Sequence, residues 1–143
     1  MQVRYGYPLL RRPESVRDAR TWVRISLMGR GCDDAIDPAL LIMSELASNA
    51  VQHASESATI KIMCEVSDDG ILTLGVIDYG KREPIMLAAA KDDEHGRGLA
   101  LVDAIADEWG WHWCDFGKFV YARLKLAQPE LAEPCLACSG TAG

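Results

Sequence analysis

Residues 37–78 constrain the fold most. DPALLIMSELASNAVQHA, 37–54, carries apolar residues at Leu40, Leu41, Leu46, Ala47, Ala50, Val51 and Ala54, a stripe too broad for a surface helix bathed in water. Directly after it, TIKIMCEVSDDGILTLGVID holds two runs rich in Ile, Val, Thr and Leu, parted by Asp69-Gly70, the pattern of a strand, a tight turn and a second strand. Ile60, Ile62 and Cys64 alternate with Lys61 and Glu65, so one face of the first strand is expected to be buried. A broad apolar helix beside a hairpin with one apolar face predicts helix packed on sheet.

The flanking segments extend that pattern. PESVRDARTWVRISLMG, 13–29, opens on Pro13 and repeats apolar residues at Val16, Ala19, Val23 and Leu27, predicting an amphipathic helix that ends at Gly29 and Gly31. Asp37 then serves as the expected N-cap of the second helix, with Pro38 at its first position. Residues 80–97 are polar at both ends and are expected to form a surface loop with a helical turn; loops of such length are commonly functional. GLALVDAIADEWG, 98–110, resumes helical spacing, and 109–126 predicts a hairpin turning at Phe116-Gly117-Lys118. The expected class is α+β: a two-layer α/β sandwich whose mixed, mostly antiparallel sheet is covered on one face by helices. The domain is expected over 1–127, followed by a flexible tail over 128–143.

Composition narrows the function classes. A chain of 143 residues with 49% hydrophobic and 25% charged residues suits one globular domain. No apolar run reaches the roughly 18 residues of a membrane helix, and the N-terminus lacks an export signal, so the expected location is the cytoplasm, off the membrane. A net charge of −6 argues against a nucleic-acid surface and favours a protein partner or a metal-bound anion. Five scattered cysteines are expected to be free thiols, because CLAC at 135–138 has no second ligand pair to complete a zinc site.

Three clusters can carry chemistry. Glu45, Asn49 and His53 recur every four residues and share one face of the second helix. Facing a cavity, they offer a carboxylate to polarise a hydroxyl or water, an amide oxygen for a hard cation and a polar group near phosphate; facing water, they are a solvated helix edge. Spacing leaves both open. Asp78-Tyr79-Gly80 closes a strand, and His95-Gly96-Arg97-Gly98 precedes a helix whose free N–H groups could receive phosphate oxygens, although glycines at such positions also make ordinary turns.

Taken together, the clusters are more specific. SELASNAVQHA resembles the N-box of the Bergerat-type (GHKL) ATP-binding superfamily, VIDYG its first glycine box, and HGRGLALVDAIAD its second. With the run through WGW to FGKFVYARL, the resemblance covers roughly residues 10–126 and looks most similar to the small anti-sigma-factor serine/threonine kinases. It implies ATP and Mg²⁺ as cofactors, Glu45 as general base, Asn49 as the Mg²⁺ ligand and His53 near the phosphates. It further implies that Asp78 accepts from the adenine amino group, Gly80 lets the base approach, and Gly96, Arg97, Gly98 and Leu99 form the hinge and phosphate-facing turn of a lid. Implied partners are a sigma factor and an antagonist protein, with a homodimer as the implied assembly. In DYGKREP, Arg82 stands where the first box usually has its second glycine, and the lid between Gly80 and Gly96 is short. Those departures leave a second reading, a protein-interaction module of the same fold with little or no ATP turnover. A histidine-kinase catalytic domain is weaker, since no phospho-acceptor helix pair precedes the N-box.

Overall fold

The computed structural model describes residues 3–53, 58–79, 96–114 and 117–127, with side chains over 6–52, 58–79, 100–114 and 117–127. The elements in chain order are β1 (Val3–Leu10), α1 (Glu14–Leu27), a 3-10 turn at Asp33–Ala35, α2 (Ile36–His53), β2 (Thr59–Val66), β3 (Ile71–Asp78), α3 (Gly96–Ile105), β4 (Glu108–Cys114) and β5 (Gly117–Lys125). Five strands form one sheet in the order β1-β2-β3-β5-β4, with each neighbouring pair antiparallel. The expected α+β sandwich is therefore present, and its described strands are antiparallel throughout rather than mixed. None of the helices described is long and apolar enough to cross a membrane.

Side-chain alternation sets the two faces of the sheet. Ile60, Ile62 and Cys64 of β2, Leu72, Leu74 and Val76 of β3, and Val120, Ala122 and Leu124 of β5 are buried under the helices. α2 lies across this face and also packs against α1 and α3. Its buried positions are Ile36, Ala39, Leu40, Ile42, Met43, Leu46, Ala47, Ala50 and Val51. Leu41, expected in the apolar face, is instead exposed at 39%, whereas Ile42 and Met43 are sealed: contact on two sides selects the i, i+3, i+4 series through Ala39, Ile42, Met43 and Leu46. Ala54 lies outside the described residues. α1 presents Ala19, Val23 and Leu27 to the same core as expected, and Arg20 Nη1 donates to Ser44 Oγ at 2.8 Å across the helix pair.

Several boundaries differ from the sequence expectation. β1 was not anticipated: it is an edge strand bearing Gly6 and Pro8, mostly exposed, and Pro8 is tolerated there because an outer strand does not need every ladder N–H. α2 begins at Ile36, so Asp37 is inside the first turn rather than its N-cap; Pro38 still fits, since first-turn N–H groups lack helical partners. α3 begins at Gly96 and stops at Ile105, short of the helical spacing read as far as 110, and Trp109 and Gly110 lie in β4 as the hairpin reading of 109–126 expects, with Gly110 paired to Tyr121. The last hairpin pairs Cys114 with Gly117, so Gly117 and Lys118 belong to β5 and not to the turn expected at 116–118. The β2–β3 turn is as expected: Gly70 has φ +83°, its N–H donates to Ser67 O at 3.1 Å, and Ser67 Oγ accepts from Ile71 N at 3.1 Å.

The face of the sheet opposite the helices carries an aromatic ladder. Phe119 and Tyr121 stack with centroids 5.7 Å apart, His112 meets Phe119 edge-on at 5.4 Å, and the Arg123 guanidinium lies 4.5 Å over the Tyr121 ring. A Cβ at Gly75 would overlap the Phe119 ring, so the glycine is what lets that ring lie against the sheet. Cys32, Cys64 and Cys114 are free thiols; burial pushes Cys64 up to about 12 and raises Cys32 as well. CLAC lies outside the described residues. Among the described residues, no three His, Cys, Asp or Glu side chains gather as a metal site.

Candidate functional site

α2 supplies one wall of the candidate site. Asn49 is 8% exposed, which removes it from the class of solvated helix-edge residues. Its Nδ2 donates to the Glu45 carbonyl oxygen at 2.9 Å, one helical turn back. That bond fixes the orientation of the amide, because only the NH₂ end can donate to a carbonyl. Among the described residues no donor reaches Asn49 Oδ1, so a buried hard-oxygen acceptor is left available. The donor chemistry fits one protein ligand of a Mg²⁺ ion that takes its remaining oxygens from phosphate and water. Glu45 is half-buried, so solvent still reaches part of the residue. His53 is the last residue of α2, and its side chain lies outside the described residues.

The end of β3 supplies a second wall. Asp78, 5% exposed, is the last residue of that strand, and Lys118 lies directly opposite it in the ladder with β5. Both side chains point to the helix-covered face, and Lys118 Nζ lies 3.1 Å from Asp78 Oδ1 with the side chains 4% and 8% exposed. A lysine buried to this degree needs a counter-charge, and the register places one there. The ammonium also lies 5.8 Å from the Trp113 ring centroid. The close approach of the two strands depends on Gly117, where a Cβ would overlap Asp78 O and crowd Tyr79 Cα at 2.8 Å. Sequence reasoning assigned Gly117-Lys118 to a turn and missed Lys118; the usable signal was the polar Lys118 in phase with apolar Val120, Ala122 and Leu124.

α3, which packs on α2, begins with Gly96, Arg97, Gly98 and Leu99. All four lie inside the helix rather than in a turn before it. Their backbone N–H groups are those that an α-helix leaves without internal acceptors, and the helix dipole adds partial positive charge there. The side chains of 96–99 lie outside the described residues, as do Gly80, Arg82 and the whole lid segment over 80–95. Asn49 and Glu45 are thus on the central helix, Asp78 at the end of a strand it covers, and Gly96 to Leu99 at the start of the helix packed on it.

The fold has counterparts among known proteins. The described fold resembles the crystal structure of the RsbU and RsbW domains of Rv1364c from Mycobacterium tuberculosis, with a TM-score of 0.67 and 22% identity. That likeness covers 89% of this chain, which spans 33% of the length of that one. An uncharacterized Streptomyces coelicolor protein, SCO4941, is 36% identical over 70 residues, or 48% of this chain and 67% of its own length. Residues 9–123 match the histidine kinase-like ATPase domain, a stretch that includes Glu45, Asn49, Asp78 and Gly96 to Leu99, and the chain therefore belongs to the histidine kinase-like ATPase domain family.

Proposed function

We propose that the protein is a cytoplasmic ATP-binding regulator of the anti-sigma type, a serine/threonine kinase that phosphorylates an antagonist protein and binds a sigma factor by turns. The observation that carries the reading is Asn49: a buried amide, turned by the Glu45 carbonyl so that its oxygen, which no donor reaches among the described residues, can meet a cation. In this reading Asn49 holds Mg²⁺, which when bound screens the charge of the triphosphate. Glu45, one turn earlier and reachable from solvent, accepts the proton of the incoming serine or threonine hydroxyl. Asp78 accepts from the adenine amino group and Gly80 lets the base come close. The N–H groups of Gly96, Arg97, Gly98 and Leu99 receive phosphate oxygens, with His53 nearby. A homodimer is the assembly this reading carries.

The kinase claim is tested with labelled ATP, Mg²⁺ and a candidate antagonist. Transfer to a serine or threonine that Glu45→Ala abolishes supports it; no transfer sinks it. A second reading, an interaction module with little turnover, is favoured by Arg82 in DYGKREP and by the engagement of Asp78 with Lys118. Calorimetry with MgATP separates the two: binding without transfer favours the module, and no binding removes any ATP-dependent switch.

A further inference from the structure

Lys118 has more donors than the described residues around it use. It is 4% exposed, and its ammonium carries three N–H bonds. Among the described residues, Asp78 Oδ1 at 3.1 Å is the acceptor it reaches, and its other close neighbour is the face of Trp113. Asp78, as a carboxylate, brings only acceptors. The ladder register therefore places an acceptor and an unspent donor side by side at the buried end of β3.

A purine offers the matching pair. On the adenine edge, the exocyclic amino group donates and ring atom N1, one carbon away, accepts. We propose that Lys118 is a base-reading residue: while Asp78 accepts from the adenine amino group, the Lys118 ammonium donates to adenine N1. This rests on the nucleotide-binding reading above and adds a specificity-determining group to it. The alternative role for Lys118 is neutralisation of Asp78 alone. The two roles differ in one respect: a neutraliser does not depend on which atom occupies position 1 of the base.

The test uses the full chain with Mg²⁺ and compares ATP with 1-deaza-ATP, in which N1 is replaced by C–H and cannot accept. Calorimetry on the wild type is expected to show 1-deaza-ATP binding about tenfold to a hundredfold more weakly, the range for a lost hydrogen bond to a charged donor. In Lys118→Met the preference is expected to fall below about threefold, because ATP loses affinity while the analogue barely changes. Asp78→Asn/Lys118→Met, which also removes the buried carboxylate charge and so keeps the variant folded, is expected to show the same collapse. Equal affinities in the wild type, or a preference that survives in the variants, overturn the assignment of Lys118 and leave ATP binding intact. Failure of the wild type to bind either nucleotide overturns the nucleotide reading and this assignment with it.

Discussion

Replacing Lys118 by methionine tests the energetics of the buried pair directly. The substitution keeps a long apolar stem and removes the ammonium 3.1 Å from Asp78, whose side chain is only 8% exposed. Breaking a buried ion pair by removing one partner costs about 3–5 kcal/mol. For a domain of this size each kcal/mol lowers Tm by about 2–5 °C, so a fall of roughly 10–20 °C is expected in thermal unfolding followed by circular dichroism. Asp78→Asn in the same background removes the charge and leaves its shape, and should recover about 2 kcal/mol or more in urea unfolding at unchanged m. A Lys118→Met variant within about 1 kcal/mol of wild type would refute the reasoning, since it would mean that the pair is solvated or not made. So would a double variant no more stable than the single one.

Three other outcomes follow from the same structure. Cys64, whose thiol is pushed up to about 12 by burial, favours folding below the ordinary thiol value and loses that contribution as pH rises from there through 12; Cys64→Val should flatten the alkaline fall in stability by up to about 4 kcal/mol, and an unchanged slope would contradict the burial. Gly75→Val drives two γ-carbons and a Cβ into the space of the Phe119 ring, so about 1–3 kcal/mol of destabilisation is expected by urea unfolding, with near-ultraviolet dichroism reporting the displaced aromatics. Asn49→Ala should reduce ATP affinity in the presence of Mg²⁺ by tenfold or more while leaving binding in excess chelator nearly unchanged; equal losses in both conditions would remove Asn49 from the metal.

Much of the fold was legible because its determinants are local. The alternation in β2, Asp69-Gly70 with the positive φ of Gly70, and the four-residue spacing of Ala19, Val23 and Leu27 each act within a few residues. β1 was not legible, because an edge strand buries little and can hold Gly6 and Pro8 without penalty, so no alternation marks it. The end of α3 was left overlapping the hairpin at Trp109 and Gly110, because their place is decided by pairing with Ala122 and Tyr121, partners that local propensity cannot see.

The candidate site divides in the same way. Sequence alone determined that Glu45 and Asn49 share a helical face, that Asp78 ends a strand and that a glycine pair stands beside the following helix, because spacing along one element follows from backbone geometry. It could not decide whether that helical face met water or protein. Only packing of α2 between α1, α3 and the sheet buried Asn49, whose oxygen no donor reaches among the described residues, and only the β3–β5 register set Lys118 against Asp78. Residues 40 positions apart become a charge pair through strand pairing summed over the whole sheet, and that sum belongs to the tertiary structure.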